Sequence, residues 1–358
     1  MVCQPVARTQ LGPIDVGPHF AQGGELWWYL AVMTPDEILD RPIGVQFSVF
    51  RKATGACTES AENLVVSTAA ISYAGKYYQA TRFFPTLSHA ALQAQPFTLQ
   101  LDRAWGISSA AARSDDDNHT RQQLVASSSS VDDSLPLALN LSLSVPSASV
   151  LMADGGFADL NGTLLAHMSK PRQPAHGSVA FGGRRPVTVR GDFWLQHIWF
   201  TTPAGGTFPQ WNWCNVQLRN GWNLQMVALG NGTRAPPGAC LGDPGSYGNL
   251  VEPRSGRVIR LSVGAGADVC YRVVRRWTDT RCPAVRYPIL SAISVAKAGA
   301  PKIELRVATL QEDNVVRPPF PRLSGYCAKG TYYEGGSIIN GTFDGEYVDG
   351  VGFTEHEW

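Results

Sequence analysis

Residues 190–227 read RGDFWLQHIWFTTPAGGTFPQWNWCNVQLRNGWNLQMV and contain five of the ten tryptophans in the chain. Three runs rich in aromatic and β-branched residues are separated by a Gly/Pro/Thr segment and by the dipeptide Asn220-Gly221. An Asn-Gly pair tolerates the positive φ angles of a tight hairpin turn. The stretch therefore predicts three antiparallel strands.

Side chains alternate between the two faces of a strand. In the first predicted strand, Trp194 and Gln196 project to one face, and His197 and Trp199 project to the other. Because both faces carry bulky groups, the sheet must be covered on both sides, by a second sheet or by closure into a barrel. A barrel lined with tryptophans suits a hydrophobic ligand, although tryptophans also fill ordinary β cores.

The length of 358 residues predicts two domains, each with its own core. Charged residues make up 16% of the chain and the formal net charge is +1, which argues against a nucleic-acid partner. No apolar run reaches the roughly 18 residues that span a bilayer. The many short β-branched runs, with 36 glycines and 24 prolines, indicate an all-β protein with less than about 10% helix.

Strand patterns fill both halves of the chain. In the second half they fall at 211–218, 222–229, 257–263, 268–277, 287–296, 302–310, 330–339 and 350–355. Eight strands are what a small closed barrel needs. Segment 230–249 is too long for a turn and is predicted to cover the barrel mouth. We therefore predict an N-terminal β-sandwich or open barrel at 1–200 and a C-terminal eight-stranded antiparallel barrel at 201–358.

Neither a metal nor an organic cofactor is indicated by the sequence. His167, His176 and His197 follow no known ligand pattern, and nucleotide-binding and serine-hydrolase motifs do not occur. The seven cysteines also lack zinc spacing. Because their number is odd, at least one thiol is unpaired. The sequence does not decide between buried thiols and one to three disulfides.

The cellular location is left open between the secretory route and the cytoplasm. The first residues lack the apolar region of a secretory signal. Five N-x-[ST] sequons, which are more than chance predicts, nevertheless favour secretion and glycosylation. They are Asn118, Asn140, Asn161, Asn231 and Asn340. Several of these are equally explained as ordinary turn sequences.

Seven segments together resemble one known family. They are GGELWWYLAVM (23–33), VQFSVFR (45–51), AAISYAGKYYQATRF (69–83), SKPR (169–172), GDFWLQHIW (191–199), WNWCNVQL (211–218) and the closing YYEGGSIINGTFDGEYVDGVGFTEHEW (332–358). Their order across nearly the whole chain is similar to that of the AttH/carotenoid 1,2-hydratase family, which includes the fungal lipocalin-like Diels-Alderases. The resemblance implies a two-domain lipocalin-like fold.

The resemblance also implies one of three chemistries: water addition to an isoprenoid double bond, cyclisation started by protonation, or cofactor-free pericyclic ring closure. Where the family carries an Asp after the W-[ML] pair, this chain has Gln196. An amide cannot protonate an alkene, but it can polarise a carbonyl group and so promote a cycloaddition. This difference favours a pericyclase over a hydratase, and a non-catalytic carrier of hydrophobic ligands is a third possibility.

The candidate catalytic residues are Glu25, Gln196, Asp192 and Glu355, with Glu334 as a further possible acid. Glu25 is notable because a carboxylate among aromatic residues is costly to bury unless it is paired or functional. The alternative for Glu25 is an ion pair with Arg51, Arg82 or Arg172.

The candidate substrate-binding residues are mostly aromatic. They are Trp27, Trp28, Tyr29, Trp194, His197, Trp199, Trp211 and Trp213. The predicted pocket combines residues of both halves of the chain: Glu25, Trp27 and Tyr29 with Trp194, Gln196, Trp211 and Trp213, and a residue near Glu355 in the closing strand. A one-residue slip in register would exchange these for residues of the opposite face. The expected ligand is a hydrophobic small molecule, a polyketide or terpenoid polyene, and the expected enzyme is a monomer or homodimer.

Overall fold

The computed structural model describes most of the chain and is entirely β in that part. The described residues are 3, 6, 17–36, 39–53, 57, 63–87, 92–94, 97–109, 121–128, 136–144, 149–160, 163–201, 210–230, 236, 238–253, 255–316 and 332–357. Across these ranges no helix is long and apolar enough to cross a bilayer. The prediction of an all-β protein is confirmed.

The chain divides into two compact units, residues 1–71 with 78–207 and residues 72–77 with 208–358. The first thirteen strands are β1 (Gly24–Pro35), β2 (Ile43–Ala53), β3 (Asn63–Tyr73), β4 (Lys76–Leu87), β5 (Leu92–Ala94), β6 (Phe97–Asp102), β7 (Trp105–Ser109), β8 (Arg121–Ser128), β9 (Leu137–Ser144), β10 (Val150–Leu151), β11 (Phe157–Leu160), β12 (Thr163–Phe181) and β13 (Val187–Phe200). They form one antiparallel sheet in the order β4-β3-β2-β1-β13-β12-β9-β8-β7-β6-β5, and β10 and β11 pair with β12.

Alternation of side chains builds the core of this sheet. On β9, Leu137, Leu139, Leu141 and Leu143 are buried, while the residues between them are more exposed. Leu141 lies directly opposite Leu124 of β8, which is also buried. Such apolar rows, repeated from strand to strand, bury one face of the sheet.

The remaining strands are β14 (Trp211–Leu218), β15 (Asn223–Leu229), β16 (Cys240–Leu241), β17 (Tyr247–Val251), β18 (Val258–Ser262), β19 (Val269–Thr278), β20 (Arg286–Val295), β21 (Ile303–Thr309), β22 (Val315–Val316), β23 (Tyr332–Phe343) and β24 (Glu346–Glu357). They form the second sheet in the order β16-β19-β20-β21-β23-β24-β14-β15-β17-β18, with β22 beside β23. One face carries an apolar core that includes Leu224, Met226, Leu250 and Ile339.

All eight strands predicted in the second half are present, but the described sheet contains three more, β16, β17 and β22. The prediction that 230–249 covers a barrel mouth is wrong for its last residues. Residues Tyr247–Val251 form β17, which pairs with β15 and β18, and Leu250 is buried in the apolar core. Residues 231–235 and 237 lie outside the described part.

The tight turn predicted at Asn220-Gly221 is confirmed, and a second tight turn lies at Ala74-Gly75. Ala74 and Gly75 join β3 to β4 with φ angles of 49° and 79°. Asn220 and Gly221 join β14 to β15, and Gly221 has a φ of 93°. Both glycines adopt the left-handed region, which costs glycine little.

The three strands predicted in 190–227 belong to two different sheets. β13 pairs with β1 on one edge and with β12 on the other, so no free edge remains for β14. β14 pairs instead with β15 and β24 in the second sheet. The sequence pattern predicts the strands correctly, but it does not predict which strands pair with each other.

Two disulfides occur among the described residues, Cys3–Cys57 and Cys240–Cys270. Cys214 and Cys282 are buried thiols. The sequence left both states open, and the chain contains both. Cys327 lies outside the described part, as do the sequon residues Asn118, Asn161 and Asn231.

Candidate functional site

Glu25 of β1 is the centre of a buried ionic cluster in the first unit. It lies directly opposite Arg51 of β2, and both side chains are fully buried. Arg51 Nε donates to Glu25 Oε2 at 3.0 Å. Glu25 Oε1 accepts from His19 Nδ1 at 2.8 Å and lies 2.9 Å from His197 Nε2. The His19 backbone N–H also donates to the carboxylate, at 2.9 Å from Oε2. The carboxylate therefore has a partner on every side.

The partners of Glu25 are themselves held in place. The Arg51 guanidinium donates to Asn63 Oδ1 at 2.9 Å and to the carbonyl oxygen of His19 at 2.7 Å. The His19 ring stacks on Trp199 with a centroid distance of 3.9 Å, and the His197 ring stacks on Trp27 at 4.9 Å. Stacked rings and paired charges leave this cluster little conformational freedom.

The environment keeps Glu25 ionised. Burial acts to raise the pKa of its carboxyl group, but hydrogen bonds from His19 and His197 and the charge of Arg51 outweigh burial and hold this pKa well below the ordinary value of 4.5. At neutral pH Glu25 has no proton to donate. The interpretation of Glu25 as an acid is therefore not supported, and the alternative, an ion pair with Arg51, is what the structure contains.

The same cluster has the composition of a metal site. Glu25, His19 and His197 each offer one ligand atom, and these atoms lie within 4.8 Å of one another. Two imidazoles and a carboxylate form a donor set that zinc uses. However, Arg51 already balances the charge of Glu25, and both imidazole nitrogens lie at hydrogen-bond distance from the carboxylate. We therefore assign the cluster a structural role, joining β1, β2 and β13.

The histidine trio considered from the sequence does not assemble. His167 lies opposite Ile198 and therefore projects to the other face of the sheet from His197. Burial lowers the pKa of His167 to about 3, so its ring is neutral. His176 is exposed. The contributing histidine, His19, was missed because it precedes the strand and carries no motif.

A second group of candidates lies on the opposite face of the first sheet. Trp28 of β1 lies opposite Gln196 of β13, and Gln196 lies opposite Ser169 of β12. All three side chains are buried. Gln196 Oε1 and Ser169 Oγ have no hydrogen-bond partner among the described residues. Gln196 thus has the setting of a ligand-contacting group.

This register corrects the predicted pocket. Glu25 lies opposite Trp199 and Trp27 lies opposite His197, so Glu25 shares a face with the histidine rather than with Gln196. Tyr29, which lies opposite Leu195, belongs to the Glu25 face, and Trp194 belongs to the Gln196 face. The alternation within each strand was predicted correctly, and the pairing between the strands was wrong by one residue.

Asp192 is set apart from both groups. Its Oδ2 accepts from Arg172 Nη1 at 3.1 Å, and the two side chains are 33% and 30% exposed. A partly exposed ion pair of this kind contributes little to stability, and it uses the Asp192 carboxylate as a hydrogen-bond acceptor. Asp192 is therefore a poor candidate for an acid.

The second unit contains a row of buried carboxyl groups. Trp213 of β14 lies opposite Glu355 of β24, and Glu355 lies opposite Glu334 of β23. Both glutamates are at most 2% exposed. Trp211 Nε1 donates to Glu355 Oε1 at 2.7 Å. Two carboxyl groups that face each other in a buried environment cannot both ionise cheaply.

The pKa values of these carboxyl groups are accordingly raised. Burial raises the pKa of Glu355 to about 8, although the Trp211 hydrogen bond acts to lower it and the charge of Glu357 adds to it. Burial and the charge of Glu355 raise the pKa of Glu334 as well. The pKa of Glu357, raised by burial, is about 7. The pair Glu334 and Glu355 therefore holds at least one proton at neutral pH.

Comparison with known proteins identifies the family of this chain. The AttH-like family model matches residues 5–356. The chain belongs to the AttH-like family. No curated protein matches it in sequence.

Solved structures share the fold of this AttH-like protein. An AttH protein from Nitrosomonas europaea aligns over 98% of each chain with 19% identity and a TM-score of 0.72. Kievitone hydratase from Nectria haematococca aligns over 99% of this chain and 94% of its own, with 15% identity and a TM-score of 0.64. CghA, in a structure with Sch210972, aligns over 94% and 88% with 12% identity and a TM-score of 0.51. The predicted lipocalin-like fold class is confirmed.

The AttH-like chain thus contains two sets of candidates with opposite electrostatic character. In the first unit, Glu25 is ionised and bound by cationic and polar partners. In the second unit, the buried pair Glu334 and Glu355 has raised pKa values and lies beside Trp211 and Trp213. The sequence predicted candidate residues in both sets. It did not predict their protonation states, because these depend on neighbours from distant parts of the chain.

Proposed function

We propose that this AttH-like protein is a cofactor-free enzyme that protonates an unsaturated small molecule, as a hydratase or a proton-initiated cyclase. The observation that carries the proposal is the pair of opposed, buried carboxyl groups of Glu334 and Glu355. A positioned general acid accelerates proton transfer by about 10²–10⁴-fold. Groups whose pKa is strongly raised by burial occur preferentially at functional sites.

The steps follow from the positions of these groups. The Glu355 carboxyl group donates its proton to one carbon of the double bond, and the other carbon becomes cationic. The rings of Trp211 and Trp213 lie beside Glu355 and can stabilise this cation. Water, or a second double bond of the substrate, then supplies the electron pair that forms the new bond. The proton lost from the adduct returns to the Glu355 carboxylate, so the enzyme ends unchanged.

The fold comparison supports this chemistry by analogy. One protein of similar structure is named a hydratase and acts on kievitone. At 15% identity this likeness supports the fold, and fold alone does not determine function. Glu334 and Glu355 themselves therefore carry the proposal.

Turnover in deuterated water tests the proposal. A panel of unsaturated phenols and terpenoids, with kievitone as the first compound, is incubated with the full chain and analysed by mass spectrometry and NMR. We expect products that carry one non-exchanging deuterium on carbon, because the transferred proton comes from a carboxyl group in exchange with solvent. A product formed without deuterium at carbon would contradict acid catalysis.

A pericyclase of the Diels-Alderase type is the second candidate. It is favoured by Gln196, a buried amide opposite both Trp28 and Ser169. Such an amide can polarise a substrate carbonyl, and orientation of the reacting ends can remove up to roughly 7–11 kcal/mol of the barrier. Pericyclic closure transfers no solvent proton, so an isomeric product free of deuterium would favour it. A carrier of hydrophobic ligands would form no product from any compound.

A further inference from the structure

A row of buried amide side chains lies next to the carboxyl pair in the second unit. Asn249 of β17 lies opposite Gln225 of β15, and Gln225 lies opposite Asn215 of β14. Their exposures are 0%, 0% and 1%. Asn215 is two residues from Trp213, which lies opposite Glu355. The amide row therefore runs parallel to the Trp213–Glu355 row on the same face, about 7 Å away at roughly 3.4 Å per residue.

The next row on this face is also polar. Asn223 of β15 lies opposite Gln217 of β14, and both are buried. The opposite face of these strands is apolar, with Leu224, Met226 and Val216 in the core. A sheet face that needed only to be covered would be apolar on this side as well, because buried polar groups cost free energy.

Gln225 shows that this polar face is not complete by itself. Asn215 Oδ1 accepts from the Phe353 N–H at 2.6 Å, and Asn223 Nδ2 donates to the Gly221 carbonyl oxygen at 3.2 Å. Neither Oε1 nor Nε2 of Gln225 has a hydrogen-bond partner among the described residues, and Asn223 Oδ1 has none there either. A buried polar group left without a partner destabilises the fold. A donor and an acceptor that remain open on the face that carries the proposed acid indicate a ligand that supplies both.

We propose that the substrate of this site is oxygenated and that Gln225 selects it by hydrogen bonds to phenol, enol or keto oxygens. Gln225 lies two strands across and one row along from Glu355, so these oxygens are about 12 Å from the reacting double bond. This proposal rests on the proposed function, which places the reacting double bond at Glu355. It adds a requirement for oxygen groups to the hydrophobic polyketide or terpenoid polyene expected from the sequence. Gln225 is assigned as a specificity-determining residue, since the carboxyl groups perform the chemistry.

The chemistry of the acid agrees with this substrate class. A carboxyl group whose pKa is raised to about 8 is a weak acid. It protonates a double bond most readily when a conjugated oxygen supplies electron density to the carbon that accepts the proton. A pure hydrocarbon would lack that electron density, and it would leave the oxygen and the nitrogen of the Gln225 amide without partners. A site built to hydrogen-bond a polar group rejects analogues that lack this group.

Binding of two matched compounds tests the proposal without turnover. Resveratrol and trans-stilbene share one carbon skeleton, and only resveratrol carries hydroxyl groups. Affinities for the full chain are measured by tryptophan fluorescence and calorimetry. We expect the wild type to prefer resveratrol by at least about tenfold, and Gln225→Leu to reduce this preference to within about threefold of equality. The control is Met226→Leu, the neighbouring residue on the apolar face, which should keep the wild-type preference.

The stability of the Gln225→Leu variant is a second measurement. If Gln225 had only a structural role, this variant would be less stable than the wild type. Because Leu removes an unsatisfied amide, we expect Gln225→Leu to unfold at the same or higher urea concentration than the wild type. A wild type that does not prefer resveratrol would overturn the proposal. So would a Gln225→Leu variant that is less stable but equally selective. Failure of the acid role would appear differently, as products without deuterium despite the preference for resveratrol.

Discussion

Replacement of Glu355 by Gln should reduce turnover by about 10²–10⁴-fold, the usual contribution of a general acid. Gln has nearly the size of a protonated Glu, so the fold should be retained. It keeps a group that can accept from Trp211, but it has no acidic proton to transfer. The measurement is the steady-state rate with whichever compound gives a deuterated product, together with a circular dichroism spectrum that confirms folding.

The matched control for Glu355 is Glu346→Gln. Glu346 lies on the same strand, β24, and is exposed. This change should leave turnover within about threefold of the wild type, because Glu346 is exposed and lies at the opposite end of the strand from Glu355. If Glu355→Gln behaves like this control, the carboxyl pair is not the proton donor.

Replacement of Glu25 by Gln should act on stability, with a loss of about 3–5 kcal/mol in the free energy of unfolding. The reason is Arg51, whose buried guanidinium would lose its counter-charge. Urea unfolding measures this loss. Asp192→Asn is the control, since it removes one member of the partly exposed pair with Arg172 and should cost no more than about 1 kcal/mol.

The stabilising effect of Glu25 should also depend on pH. Its pKa in the folded protein lies below the ordinary value of 4.5, so its contribution is complete above that pH and is lost as the pH falls. The difference between the wild type and Glu25→Gln should therefore shrink in acid. A Glu25→Gln variant of unchanged stability that has lost turnover would instead give Glu25 a catalytic role.

Local sequence patterns were sufficient for most of the strands, because alternating burial and turn residues are both local properties. β17 was missed because YGNLV at 247–251 follows a segment rich in glycine and proline, which resembles a loop. The strand partners of β13 were not predicted, for a different reason. Its partners, β1 and β12, are set by pairing over long sequence distances, which a strand pattern does not contain.

The candidate site shows the same limit more clearly. Glu25 and Glu355 are both glutamates flanked by aromatic residues, and the sequence offered no way to distinguish them. The structure does, because Glu25 meets Arg51 and two histidines, whereas Glu355 meets Glu334. Gln225 was missed altogether, since a glutamine in a predicted strand is usually assumed to face solvent.

The protonation state of the carboxyl pair is the central claim, and infrared spectroscopy measures it directly. We predict a carbonyl stretch of protonated carboxyl groups in the wild type at neutral pH, and this band should weaken as the pH rises through about 8. In the Glu334→Gln/Glu355→Gln variant most of this band should be missing at neutral pH. A wild-type spectrum at neutral pH that contains only ionised carboxylates would contradict the account.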